Sequence, residues 1–184
     1  MGNFTIATRY ANALLEASEE KNTFDAVAKD MELIYNTFDS SKELRVAISN
    51  PILSEEKKIN ILREIFGGKV SSDSLEFLFF VVKKGRDEVM FDILKRFMEL
   101  RDDKMNIVKV LITSAFELNE KQKSEIKSKL TGYLQKDVRM QYKVNPTLIG
   151  GFTVRVGDTV LDASVVHQLE LLRNKFLKEE FLLN

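Results

Sequence analysis

"MNIVKVLITSA" (residues 105–115) marks a change in the periodicity of the chain. The stretch is rich in β-branched residues, a composition typical of a β-strand. The sequence before it has helical periodicity, whereas the sequence after it mixes strand and helix patterns. No run of glycine, serine or proline separates the two parts. We therefore predict an all-α domain at 1–105 and a smaller α+β domain at 106–184.

The first domain shows six helical segments joined by short connections. In the first segment, apolar and small side chains recur with the i, i+4, i+7 spacing of one helix face. Asn22 is the expected N-cap of the second segment and Ser54 that of the fourth, which Gly67 and Gly68 end. The segments lie at 4–20, 22–38, 44–48, 54–66, 72–84 and 87–103. This pattern predicts a compact six-helix bundle.

The second domain mixes strands and helices. Asn119 and Gln122 have the spacing of a capping box at the start of a helix. The apolar stripe of that helix consists of Ile126, Leu130 and Leu134. Residues 138–144 alternate between apolar and polar side chains, as in a strand, and Gly157 and Asp158 predict a type II′ hairpin turn. The last segment is an amphipathic helix whose expected core stripe is Val165, Leu169, Leu172 and Phe176.

The predicted fold class is therefore mainly α. An N-terminal six-helix bundle is followed by a small α+β domain with a short β-sheet and an amphipathic C-terminal helix. The zero formal net charge of the chain argues against non-specific nucleic-acid binding, which requires a basic excess. The longest apolar cluster, at 75–82, is far shorter than the roughly 20 residues of a membrane-spanning helix. We therefore expect neither a nucleic-acid partner nor direct membrane insertion.

Gly150 and Gly151 raise the question of a phosphate-binding loop. A P-loop needs a lysine and a hydroxyl residue after its last glycine, and a Rossmann loop needs a helix directly after its glycines. Here the two glycines stand between strand-like runs, so a bend or a close backbone approach is the favoured interpretation. No cofactor is expected. An enzyme with a substrate site near 148–158 remains an alternative that this geometry disfavours.

Candidate catalytic and metal-binding groups are few. His167 is the only histidine and follows Ser164 by three residues, but the G-x-S-x-G elbow of a hydrolase is missing. There is no cysteine, so only carboxylates are left to bind a metal. The acidic pairs fall at helix ends or turns, where solvation or a helix dipole accounts for them. These pairs are 19–20, 55–56, 102–103 and 179–180. We predict no catalytic residue and no metal site.

Three segments carry more apolar surface than one core requires. The stretch at 75–82, within the helix at 72–84, carries apolar groups all round, which indicates either central burial or a second face for a partner. The helix at 4–20 carries small alanines that would let another helix come close. A groove between these two helices could bind an amphipathic helix of a partner. The last helix also has spare apolar groups near its end, a pattern of a docking surface or of fold-back onto the domain.

Several motifs resemble the δ subunit of bacterial F-type ATP synthase, the family of the mitochondrial oligomycin-sensitivity-conferring protein. The N-terminal similarities are "ATRYANALLEAS" (7–18), "NPILSEEKKINIL" (50–62) and "KKGRDEVMFDILKRF" (83–97). The most specific similarity is "LIGGFTVRVGDTVLDASVVHQLELL" (148–172). These motifs span nearly the whole chain in the order expected for the family.

The resemblance implies a non-catalytic stator subunit of the peripheral stalk. Such a subunit joins the catalytic head to the b subunits and resists rotor torque during proton-driven ATP synthesis, on the cytoplasmic face of the bacterial inner membrane. It implies that the N-terminal helix of an α subunit binds between the first and fifth helices, at Ile6, Tyr10, Ala13, Leu14, Ala17, Leu75, Leu78, Phe79 and Val82. It implies that the C-terminal ends of the b subunits bind at Leu171, Phe176, Leu177, Phe181 and Leu182. The alternative is a helical adaptor of another complex.

Overall fold

A computed structural model of the chain describes the backbone of residues 2–180 and the side chains of residues 2–175. These residues form eight α-helices and four β-strands, so the fold is mainly helical with a small sheet. The chain divides into two compact units, Met1–Lys104 and Met105–Asn184, and each unit has its own hydrophobic core.

The first unit contains six α-helices, and each of the six helical segments predicted from periodicity is a helix. They are α1 (Gly2–Glu20), α2 (Phe24–Ser40), α3 (Lys42–Ser49), α4 (Glu55–Phe66), α5 (Ser72–Lys83) and α6 (Met90–Lys104). A 3₁₀ turn at Asp87–Val89 leads into α6. The predicted cap of α2 is wrong by one residue: Asn22 has a φ of 55°, and Thr23 is the N-cap. Asn22 instead lies in the turn between α1 and α2, in a left-handed conformation that asparagine tolerates better than most residues.

The core of the first unit draws fully buried side chains from all six helices. The rings of Phe38 in α2 and Phe66 in α4 stack with a centroid distance of 6.1 Å. Around them lie side chains with almost no exposed surface, including Ala11, Met31, Ile48, Leu62, Leu78, Val81, Ile93 and Phe97. Burying an aliphatic or aromatic side chain of this size contributes about 1.5–3 kcal/mol. The helices are therefore held together mainly by this shared core.

Two adjacent residues of α6 form a buried ion pair within this unit. The guanidinium of Arg101 donates through Nε and Nη2 to Asp102 Oδ1, at 3.0 and 2.6 Å, and its Nη1 lies 3.1 Å from Glu32 Oε2 in α2. The side chains of Arg101 and Asp102 are only 3% and 7% exposed. The interpretation of Asp102 as a solvated carboxylate is therefore wrong, because a guanidinium partner in the core offsets the cost of its burial.

A second buried pair ties α4 to the junction between α5 and α6. The ammonium group of Lys58 donates to Asp87 Oδ2, and the lysine side chain is only 5% exposed. Asp87 begins the 3₁₀ turn that precedes α6. The pair therefore fixes this junction against α4.

Asp30 of α2 organises the start of α5. Its Oδ2 atom accepts hydrogen bonds from the Ser71 N–H at 2.9 Å, the Ser71 hydroxyl at 2.6 Å and the Ser74 hydroxyl at 2.8 Å. Ser71 is itself the N-cap of α5 and accepts from the Ser74 N–H. A carboxylate at this position also complements the positive end of the helix dipole. Asp30 therefore sets where α5 begins relative to α2.

Replacing Asp30 with alanine is expected to lower the free energy of unfolding of the first unit by about 2 kcal/mol, because hydrogen bonds to a charged group are lost together. Asp25→Ala is the matched control, since Asp25 is an exposed first-turn residue of the same helix. Its loss should cost at most about 1 kcal/mol through the helix dipole. Native-state hydrogen exchange of the α5 amides measures the difference, and equal effects of the two variants would contradict the capping role of Asp30.

The second unit is built on a four-stranded mixed sheet. Its elements are β1 (Ile107–Ser114), α7 (Glu120–Leu134), β2 (Asp137–Val144), β3 (Phe152–Val156), β4 (Thr159–Asp162) and α8 (Val165–Glu180), with a 3₁₀ turn at Pro146–Leu148. The strand order is β2-β1-β3-β4. The β1–β2 pair is parallel, because α7 crosses over between them, and the other two pairs are antiparallel. The strands expected at 105–115 and 138–144 are confirmed.

The capping box and the apolar stripe predicted for α7 are also confirmed. The side chain of Asn119 accepts from the Gln122 N–H, and the Gln122 side chain accepts from the Asn119 N–H. The α7 side chains that pack against the sheet core are Ile126, Leu130 and Leu134. On the sheet, the buried partners are Val110, Ile112, Val138 and Val154.

Gly151 is required where β3 meets the segment leading into α8. Its φ is 75°, and an added Cβ atom would lie 2.3 Å from the carbonyl oxygen of Ala163. A Cβ at Gly150 would lie 2.9 Å from a methyl group of Val165. The sheet-like pairing continues past β4, since the Ala163 N–H donates to Phe152 O and the Val165 N–H to Gly150 O, both at 3.0 Å. The glycines thus permit close backbone packing, the interpretation favoured over a phosphate loop.

Candidate partner-binding groove

An apolar groove lies between α1 and α5 in the first unit. The rings of Tyr10 in α1 and Phe80 in α5 have a centroid distance of 6.1 Å and an interplanar angle of 47°. A cleft of about 330 Å³ extends from this pair towards Lys21, and a cleft of about 310 Å³ extends from it towards Arg9. Both clefts share Tyr10, Ala13 and Phe80 in their walls. We therefore treat the two clefts as one groove, with the Tyr10–Phe80 pair at the place where they meet.

The α1 wall combines aromatic, aliphatic and small side chains. Ile6 and Tyr10 are half-buried, and Ala13 and Ala17 are exposed. Leu14 is only 7% exposed and lies at the floor, where it also belongs to the core. Two of the exposed α1 positions in the groove, Ala13 and Ala17, carry alanine, which leaves space beside α5. All five α1 residues expected from the sequence lie along one or both clefts.

The α5 wall differs from the expectation. The α5 side chains that line the clefts are Asp73, Glu76, Phe77 and Phe80. The assignment of Leu78 and Val82 to the partner-binding face is wrong, because they are 0% and 3% exposed and belong to the core. Leu75 and Phe79 are half-buried and do not line either cleft; the Phe79 ring lies 5.3 Å from the guanidinium carbon of Arg63 in α4.

The sequence offered one signal for the correct α5 face. Apolar side chains occur on every side of α5, so hydrophobic periodicity alone does not choose between its faces. Asp73 and Glu76, however, share a face with Phe77 and Phe80 at the i, i+3, i+4, i+7 spacing of one helix side. A mixed face with two carboxylates is the one that meets solvent or a partner. The uninterrupted apolar stripe is the one that enters the core.

The last helix presents exposed leucines. Leu169, Leu171 and Leu172 are 53%, 50% and 48% exposed. The placement of Leu169 and Leu172 in a core stripe is therefore wrong, whereas Leu171 is exposed as a partner-binding residue must be. The other residues expected to bind the b subunits lie outside the described side chains: Phe176, Leu177, Phe181 and Leu182. The described part of α8 thus exposes three leucines among polar side chains.

Ser164 and His167 form a helix cap. The Ser164 hydroxyl oxygen accepts from the backbone N–H of His167 at 3.2 Å, and the Ser164 N–H donates to Asp162 Oδ1 at 2.8 Å. Hydrogen bonds from the Ser164 hydroxyl and N–H lower the pKa of the Asp162 carboxyl. The serine oxygen is engaged with the backbone, so its arrangement is that of an N-cap rather than of an activated nucleophile.

The described part of the chain offers no candidate for metal binding or for membrane spanning. No group of three or more histidine, aspartate or glutamate side chains is arranged there to hold a metal ion. Among the same residues, no helix combines the length and the apolar character needed to cross a bilayer.

The fold and the groove define a helical interaction protein that presents apolar surfaces to partners. A family model described as the ATP synthase delta (OSCP) subunit matches residues 6–176, and the chain belongs to this family. It is therefore a structural stator component of F-type ATP synthase, part of the peripheral stalk, and not an enzyme. The resemblance drawn from the sequence motifs is confirmed.

Individual relatives agree with the family assignment. The ATP synthase subunit delta of Chloroherpeton thalassium is 40% identical over 169 residues, which cover 92% of each chain. That of Chlorobium luteolum is 37% identical over 180 residues, 98% of this chain and 99% of the relative. A chain in the cryo-EM structure of the Toxoplasma gondii mitochondrial ATP synthase hexamer is 21% identical, with a TM-score of 0.70, and the similarity covers 93% of this chain and 97% of that one. This last similarity supports the fold.

Proposed function

We propose that the chain joins two parts of the synthase through its two units. The six helices of the first unit form the family's bundle and bind the N-terminal helix of an α subunit on the catalytic head. The second unit holds the C-terminal ends of the b subunits, chiefly through α8. The protein acts peripherally at the cytoplasmic face of the bacterial inner membrane. The observation that carries the proposal is the apolar groove between α1 and α5.

The size of the groove suits a single helix. It extends along α1 from Ile6 to Lys21, which at 1.5 Å per residue is about 22 Å. A bound helix of about four turns would cover this length. Its apolar face would meet Tyr10, Phe77 and Phe80, while the exposed alanines would let its backbone approach α1 closely. This is the helix-in-groove mode of recognition, in which apolar anchors recur at i, i+3, i+4 and i+7.

The mechanical task explains why apolar burial is the suitable chemistry. A stator joint must remain bound while the rotor exerts torque on the head, so its dissociation must be slow. Differences in affinity between related complexes arise mostly in the dissociation rate. Aromatic anchors in a desolvated groove contribute most to such slow dissociation. The exposed leucines of α8 offer the same chemistry to the b subunits.

Replacing Ala13 with tryptophan is expected to weaken binding of an α-subunit N-terminal peptide by at least about tenfold, because an aromatic side chain of about 150–250 Å² would occupy the groove. Ala13 lines both clefts and is exposed, so the core is not disturbed. Asn12→Trp is the control, since Asn12 is the adjacent exposed residue of the same helix and lines neither cleft.

Fluorescence anisotropy of the labelled peptide measures both affinities, and circular dichroism checks that both variants keep their helix content. Unaltered binding by Ala13→Trp would contradict the groove assignment. No binding by the wild-type protein, combined with capture of an unrelated amphipathic helix, would favour the alternative adaptor function.

A further inference from the structure

We infer that the α1–α5 groove orients its helical partner by charge, taking an acidic end of the partner against Arg9, Lys84 and Arg86 and a basic end against Asp73 and Glu76. The inference rests on the proposed function, because it concerns the helix that this groove binds. It adds the partner's charge pattern and its direction in the groove.

One end of the groove is basic. Arg9 of α1 and Arg86, which follows α5, line the cleft on this side together with Phe80. The ammonium group of Lys84 lies 5.5 Å from the centroid of the Phe80 ring. All three cations are exposed at the rim rather than buried. They therefore add positive charge at this side of the groove without a desolvation cost in the free protein.

The other end of the groove is acidic. Asp73 and Glu76 of α5 line the cleft on this side, together with Lys21, which directly follows α1. Lys21 Nζ lies 3.2 Å from Asp73 Oδ1, so this lysine offsets one of the two carboxylates. Glu76 is exposed. The cleft at this end is lined by one excess negative charge, whereas the cleft at the opposite end is lined by two positive charges, Arg9 and Arg86.

This polarity discriminates between the two directions in which an amphipathic helix could lie. Charged rims fix register and suppress wrong arrangements, because like charges brought together are costly. Full side-chain charges outweigh the half-charges at the ends of a bound helix. The most stable occupant has acidic residues in its first turn and basic residues in its last turn, as its own dipole favours. Such a helix runs parallel to α1 and antiparallel to α5.

Two designed peptides test the direction. They share one apolar stripe; the first carries glutamates in its first two turns and lysines in its last two, and the second carries the reverse. Each bears a nitroxide spin label at its N-terminus. The first peptide should broaden the amide NMR signals of Arg9 and Arg86 in the full chain, and the second those of Lys21 and Asp73. Broadening at the same end by both peptides would overturn the inference.

Charge reversal provides a second test. Arg9→Glu combined with Arg86→Glu should lower the affinity for the first peptide by at least about fivefold at low salt. This loss of affinity should become smaller as the salt concentration rises, because salt screens exposed charges. The matched control is Lys29→Glu with Lys42→Glu, which makes the same change in net charge at exposed positions outside the groove. Equal effects of the two double variants would overturn the inference. Failure of the wild-type protein to bind an α-subunit peptide would instead contradict the proposed function.

Discussion

Replacing Arg101 with leucine is expected to lower the free energy of unfolding of the first unit by about 3–5 kcal/mol. The substitution leaves the Asp102 carboxylate, whose side chain is 7% exposed, without the guanidinium that donates to it through two nitrogens. An ionised carboxylate at so buried a site depends on strong donors of this kind, because it has lost most of its water. Native-state hydrogen exchange of the α6 amides measures the effect in this unit alone.

Two further variants separate the buried ion pair from charge in general. The double variant Arg101→Leu, Asp102→Leu removes both charges, and its stability should return to within about 1 kcal/mol of the wild type. Arg96→Leu removes an arginine whose pairing with Glu99 is partly exposed, and this should cost less than about 1 kcal/mol. A small effect of Arg101→Leu alone would show that the Asp102 carboxylate does not depend on this partner.

Replacing Gly151 with alanine is expected to destabilise the second unit by about 3–4 kcal/mol, the sum of a conformational cost and a steric one. About 1–2 kcal/mol comes from holding alanine in the left-handed region. The remainder comes from the approach of the new Cβ to the backbone of Ala163 and Ser164, which cannot rotate away as a side chain would. Relieving this overlap displaces the Ala163–Phe152 and Ala115–Gly151 hydrogen bonds, each of which contributes about 1 kcal/mol.

Gly157→Ala is the matched control for this substitution. Gly157 has a φ of 57°, but an added Cβ atom there would meet nothing within 4 Å. Only the conformational cost of about 1–2 kcal/mol should therefore apply. Hydrogen exchange of the β3 amides measures both variants. A Gly151→Ala effect no larger than that of Gly157→Ala would contradict the role of close packing at this junction.

The local elements of this protein could be predicted from the sequence because each depends on nearby residues. The β-branched run at 105–115 predicted β1, and the Asn119–Gln122 spacing predicted a capping box that the structure shows in full. Gly150 and Gly151 were expected at a bend or a close approach, and an added Cβ atom at either would meet a neighbour within 3 Å. These features are fixed by backbone geometry over a few residues.

The features that the sequence did not reveal depend on contacts between distant elements. Leu78 and Phe80 are both apolar residues of α5, and only the packing of the other helices decides which of them is buried. Asp102 has the pattern of an ordinary exposed acidic pair, and nothing in the neighbouring residues indicates that it enters the core with Arg101. The exposure of Leu169 and Leu172 could not be predicted either, because an apolar stripe does not show whether other residues of the same chain pack against it.

Hydrogen bonds join the start of α8 to the sheet, and they determine how the helix resists a pull. Pairing with β3 continues through Ala163 and Val165 into the first residue of the helix, whose backbone N–H donates to Gly150 O. A pull along the strand direction is therefore shared in shear by several hydrogen bonds of one antiparallel ladder.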